Sequence, residues 1–202
     1  MDDRHYVAPG WIAITAAALT LPMIVLAFLL DVVTQRNGDL AAVLLLPYLG
    51  VVVAQVACGI YALVRLKTLL NERHAFHDVD GLIVAIVIGA CLISLIGIVG
   101  RTSLVLVAAG THALSLVAIG LLFLVGVPLS VLTIVFAVRL LRLESDLWGL
   151  LKPYAYTTIA AAALMMTVLL SPVGLLLQAA ADVMLGMIFL RQASGSHVPD
   201  FV

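Results

Sequence analysis

Long apolar blocks separated by short polar strings dominate the chain, and none of the blocks alternates apolar with polar residues as a barrel strand in lipid does. A membrane-crossing helix needs about 20 mainly apolar residues. That ruler places spans at Trp11 to Val33, Ala41 to Leu66, Gly81 to Gly100, Leu114 to Leu141, Tyr154 to Leu170 and Pro172 to Leu190. The predicted fold class is therefore all-α: a polytopic integral membrane protein, a bundle of about six transmembrane helices forming a single membrane domain over residues 1–202. Helices are the expected element because each satisfies its own backbone hydrogen bonds where no water is present.

Two joins depend on more than hydropathy. The apolar run from Leu104 to Leu141 is too long for one untilted span, and only Ser171-Pro172 punctuates the last two spans. Basic residues guide the count, because cytoplasmic loops retain Lys and Arg. Arg4, Arg65, Lys67, Arg73, Arg139, Arg142, Lys152 and Arg191 fall on one side of a six-span arrangement, against Arg36 and Arg101 on the other. The bias predicts cytoplasmic termini and favours six spans over five, since leaving Tyr154 to Leu190 unsplit would strand Arg191 outside. Ser171-Pro172 suits such a turn, because proline at a helix start lacks only an N–H that would go unpaired. Related strings, "VRLKTLLNE" from Val64 and "VRLLRLESD" from Val138, read as helix continuations leaving the membrane and raise the idea of a repeated hairpin.

Composition agrees with the span count. The chain is 64% hydrophobic and 10% charged, with a mean hydropathy of +1.26, against about a quarter charged in a soluble domain. The lipid bilayer is the first partner to expect, and the Ala, Leu and Val richness suits a bacterial cytoplasmic membrane. Scattered Lys and Arg with a net charge of -1 offer no footprint for nucleic acid. The acidic N-terminus leads into an apolar run longer than a signal-peptide core, which predicts a retained first span. Cys58 and Cys91 lack metal or redox spacing and read as membrane-packing residues.

Close helix approach in lipid favours small side chains. Gly81, Ala85, Gly89 and Gly97 recur at multiples of four along span three, and Gly174, Gln178, Asp182 and Gly186 repeat that spacing along span six. Both rows are candidate helix-packing faces, within the chain, in a homo-oligomer or against another membrane protein. Pro22, Pro47 and Pro128 lie inside spans, where each removes a backbone donor.

Candidate chemistry is sparse. In "NERHAFHDVDG", His74, His77 and Asp78 would share a face if the second span ran on as a helix, a weak metal-ligand spacing without a second ligand group. Asp78 or Asp80 is better explained as the N-cap of the third span. No metal site or cofactor is expected. His112, near Arg101, Thr102, Ser103 and Thr111, reads as a wetted interfacial histidine. No nucleophile elbow, metalloprotease helix or phosphate-binding loop occurs.

Asp182 stands apart because its depth can be estimated. It lies ten residues from Pro172 and nine from Arg191, near the centre of a hydrocarbon core about 30 Å thick at about 1.5 Å per residue. A central Asp costs about 2.5 to 3.5 kcal/mol on the insertion scale, while each large aliphatic residue returns only about 0.3 to 0.6. Span six should thus insert only marginally alone, and Gln178 adds to the deficit. No Lys or Arg shares its depth; Gln55 does, and Ser94, Thr133 and Thr167 are within conceivable reach. Three readings follow: a neutral, hydrogen-bonded interhelical acid, an exchange site for a proton or cation, or the mate of a basic group on another chain. The leading functional expectation is a non-enzymatic accessory or interaction subunit. The alternative is a small ion-coupled transporter using Asp182 with Gln178 and Gln55, and the third is a lipid-modifying membrane enzyme using His74, His77 and Asp78.

Overall fold

The computed structural model describes residues 3–36, 38–74, 76–106, 112–143, 149–167 and 170–194. After a 3-10 turn at Asp3–Tyr6, six helices follow: α1 Val7–Thr34, α2 Gly38–His74, α3 Asp80–Leu106, α4 His112–Leu140, α5 Leu151–Met165 and α6 Ser171–Ser194. All but α5 are long and apolar enough to cross a membrane. The chain is an all-α helical membrane bundle.

Each helix packs against its neighbours in sequence, and α6 returns to pack on α1, so the six close into a ring. The first turn of α1 and the last of α6 meet at one end, where the Tyr6 and Phe189 rings lie 6.3 Å apart and nearly parallel. Pro9, Pro153 and Pro172 all fall within the first three residues of their helices, where the amides have no intrahelical acceptor and the missing N–H is harmless. Pro22, Pro47 and Pro128 sit inside α1, α2 and α4.

The largest core gathers at the end that holds the first turn of α1 and the last turn of α6. Tyr6, Leu66, Leu70, Ile83, Phe136, Leu140, Leu151, Tyr154, Leu185 and Phe189 belong to one buried cluster fed by all six helices. A smaller cluster, Leu30, Ala41, Leu45 and Val105, ties α1, α2 and α3 at the opposite end. The asymmetry follows from the length of α2. Its 37 residues span about 55 Å, so the part beyond the hydrocarbon carries Leu66, Leu69 and Leu70 into contact with water unless neighbours cover them. There the hydrophobic effect drives packing, whereas within lipid it gives almost nothing between helices.

At the opposite end Arg101 of α3 donates to Asp31 of α1 and lies 5.9 Å from the centre of the Tyr48 ring of α2. One cation thereby ties three helices.

Several element boundaries differ from the expectation. The second span runs to His74 rather than ending at Leu66, while α4 stops at Leu140 with Arg139 in its last turn. The two "VRL" strings thus occupy different local positions, mid-helix in one case and helix end in the other. The fifth span is 15 residues, Leu151–Met165, rather than Tyr154 to Leu170. Met166 and Thr167 already turn, their amides donating to the Ala162 and Leu164 carbonyls. Hydropathy reads on through Leu170 as more span, but Leu170 is a turn residue and α6 begins at Ser171.

Candidate functional site

The row Gly174, Gln178, Asp182, Gly186 occupies α6 as the spacing suggested, yet its two ends meet different helices. A methyl group added to Gly174 would stand 3.0 Å from the Ala161 carbonyl oxygen and 2.8 Å from Met165 Cγ, both on α5. One added to Gly186 would stand 2.8 Å from the Gly10 carbonyl oxygen and 2.7 Å from Ile14 Cγ1, both on α1. The physical cause is helical geometry: four residues overshoot a turn by about 40°, so twelve residues rotate the row by about 120°. Between those two contacts along α6 lie Gln178 and Asp182, on a helix whose Ala181, Leu185 and Phe189 are buried.

Gln178 Nε2 donates to Asp182 Oδ1 at 3.1 Å, one turn away on the same helix. Both side chains are partly buried, and no ion pair of Asp182 occurs among the described residues. Across the α5–α6 seam, Tyr154 is buried to 2% exposure on the face of α5 that also carries Thr158, Ala161 and Ala162. On the α1 side, the segment Gly10 to Thr20 presents no titratable side chain.

Gln55, expected at the depth of Asp182, donates instead to Thr20 Oγ1 at 2.8 Å. The Gly10–Gly186 crossing sets Thr20 level with residue 176 of α6, about 9 Å along the axis from Asp182. The remaining hydroxyls within conceivable reach spend their hydrogen bonds locally. Ser94 donates to the Ala90 carbonyl, Thr133 to Leu129 and Thr167 to Leu164. Back-bonding of this kind is the usual way a helix satisfies a hydroxyl in lipid.

The α3 row divides. A methyl group on Gly89 would meet Leu129 of α4 at 2.7 Å, whereas Gly81 and Gly97 have nothing within 4 Å. Ala85 is partly buried. Only the middle of that row is a close helix contact within the chain.

The polar string between α2 and α3 is organised around Asp80 rather than around a histidine pair. Because α2 ends at His74 and residues 76 and 77 are not helical, His77 and Asp78 do not continue its face; the His74 side chain lies outside the described residues. Asp80 opens α3, where a carboxylate suits the helix N-terminus. Both of its oxygens accept from Asn71 Nδ2 at 3.0 Å, and Oδ2 lies 3.4 Å from His77 Nδ1 and 3.8 Å from Lys67 Nζ. The Asp78 carbonyl accepts from Arg139 of α4. Among the described residues no three metal-ligating side chains converge. The geometry is that of a clamp holding α2 to α3. Asp80→Ala removes the acceptor of Asn71 and Lys67 together and is expected to cost about 1 kcal/mol, read as an earlier thermal transition in detergent. An unchanged transition would show that the clamp contributes nothing.

Three residues of this region carried no motif. Gly10 and Thr20 belong to a small-residue face with Ala13, Ala16 and Ala17, all buried on α1, and the spacing of three and four residues is readable in hindsight. Tyr154 marks the expected start of the fifth span, and its helical neighbours Thr158, Ala161 and Ala162 form the buried face of α5. Side chains 112–116, which include His112, lie outside the described set.

Comparison of the chain with protein families, curated proteins and solved structures finds no match.

Proposed function

We propose that this chain is a small ion-coupled permease in which Asp182, seated against Gln178, binds and releases the coupling ion. One observation carries the reading: a carboxylate midway along a membrane-crossing helix is partly buried and bonded to the Gln178 amide, with no ion pair among the described residues. A structural ion pair would have brought its own positive charge, and a carboxylate needed only for packing has no advantage over an apolar residue at that depth. The basic residues favour cytoplasmic termini, and the composition favours a bacterial cytoplasmic membrane.

The test uses purified protein in liposomes loaded with an acidic buffer and a pH-sensitive dye. Adding alkali cations or small organic cations outside should raise the internal pH in wild-type vesicles and leave Asp182→Asn vesicles silent, with both proteins equally folded. Exchange that survives in Asp182→Asn, or no exchange with any of these cations in wild type, would sink the reading.

A second reading, an accessory subunit that forms a homo-oligomer or joins another membrane protein, draws on Gly81 and Gly97. They leave open ground on an α3 that also exposes Val84, Ile88, Leu92 and Leu95. It requires a stable oligomer or a co-purifying membrane protein in mild detergent, and a strict monomer that exchanges ions decides for the permease.

A further inference from the structure

The two ends of the ring are closed in unlike ways. Towards the termini, Leu185, Ile188 and Phe189 of α6 join Leu151 and Tyr154 of α5 in the large core, and Tyr6 donates to Glu72 of α2 at the same end. From Asp182 towards Ser171 the buried side chains become small. They include Gly174 and Ala181 on α6, Ala161 and Ala162 on α5, and Ala17 and Thr20 on α1.

At the end away from the termini the closure is an ion pair beside the four-residue cluster of Leu30. Arg101 of α3 donates to Asp31 of α1 and lies over the Tyr48 ring of α2, although α1 and α3 share little other packing among the described residues. The Gly10–Gly186 crossing sets Ser171, the first residue of α6, level with residue 25 of α1, so Asp31 stands about 9 Å beyond it. The α5 helix stops at Met165, against Gly174. Neither α5 nor α6 reaches the ion pair.

We propose that the Arg101–Asp31 pair over Tyr48 is the latch on the way to Asp182, and that the ion enters from the end away from the termini when α1 and α3 part there; this rests on the exchange reading of Asp182. The strength of the two closures decides which end moves. An exposed ion pair and a cation–π contact are weak and form again readily. Opening the other end would pull bulky apolar side chains out of contact and leave voids or wetted apolar surface. Asp31 is exposed and Arg101 half-buried, so water takes over both charges as they separate. Between the latch and Asp182, side chains no larger than alanine or threonine on the buried faces of α5 and α6 leave little to displace.

Water access to position 182 reads the latch without any transport. In a background carrying Cys58→Ala and Cys91→Ala, the Asp182→Cys protein in nanodiscs is treated with a charged, water-soluble maleimide, and mass spectrometry follows the adduct with time. Gln178→Cys, one turn away, carries the test if the Asp182 variant does not fold. Adding Arg101→Gln or Asp31→Asn should speed labelling about fivefold, the effect of losing one such contact. The double variant should match the faster single, because two partners of one contact do not act additively. Asp80→Ala, which loosens the opposite end, should leave the rate unchanged. The inference is overturned by latch variants that label like their parent, by additive effects of the two substitutions, or by faster labelling in Asp80→Ala. Ion exchange by wild type in liposomes, with labelling that ignores the latch, removes this inference alone. Labelling that obeys the latch in a protein that exchanges no ion removes the permease and leaves the latch standing.

Discussion

Replacing Gly186 by leucine should separate α6 from α1 and cost the protein most of its stability in detergent. The obstacle is backbone: a methyl at Gly186 already stands 2.8 Å from the Gly10 carbonyl oxygen, and one at Gly10 stands 3.1 Å from the Gly186 carbonyl oxygen. Neither can rotate away, so the helices must part to admit a side chain. Overpacking typically costs about 1 to 3 kcal/mol, and more where nothing can yield. In lipid the loss is felt fully, because close contact rather than apolar burial holds helices together. The crossing also closes the ring, since α6 packs mainly on α5, α1 and the terminal turn. Gly186→Leu and Gly10→Leu should therefore both lower the thermal transition sharply and broaden the size-exclusion peak. Gly81→Leu and Gly97→Leu, with nothing within 4 Å, should match wild type as monomers. Equal behaviour of all four would mean that the α1–α6 contact does not hold the bundle.

The contrast between those glycines marks how far the sequence carries. Spans one, three, four and six are legible because blocks of lipid-compatible residues have no other use, and α1, α3, α4 and α6 include nearly all of them. The end of α2 is not legible in that way. Past Arg65 the chain turns polar, and the leucines at 66, 69 and 70 reveal a helix only once the α3, α4 and α5 ends that cover them are in view. A glycine row is legible as small, but not as occupied: Gly89 meets Leu129 while Gly81 and Gly97 meet nothing, and only the partner helix decides which. Asp182 was conspicuous from its depth alone. The part of α5 level with it was not, because the register of α5 on α6 is set by contacts between the two helices, Gly174 with Ala161 and Met165, and Met184 with Thr157.

Asp182→Leu should transform the insertion of α6. Exchanging a central Asp for Leu is worth about 3 to 4 kcal/mol on the insertion scale, or two to three orders of magnitude in the insertion equilibrium. Presented alone to the translocon in a glycosylation reporter, the wild-type segment Ser171–Ser194 should insert poorly and the leucine variant almost completely. In the whole chain the gain should shrink, because α5 and α1 already accompany the helix and Gln178 satisfies one carboxylate oxygen. Leucine would leave Gln178 without that partner, at a cost of about 1 kcal/mol. A net rise in thermal stability should remain, together with complete loss of the proposed ion exchange. That combination is the signature of a group kept for function against the stability of its helix. The opposite result, a full-length Asp182→Leu protein that melts earlier than wild type, would make the carboxylate a hydrogen-bonding hub of the α5–α6 seam. Its conspicuous depth would then be explained by packing alone.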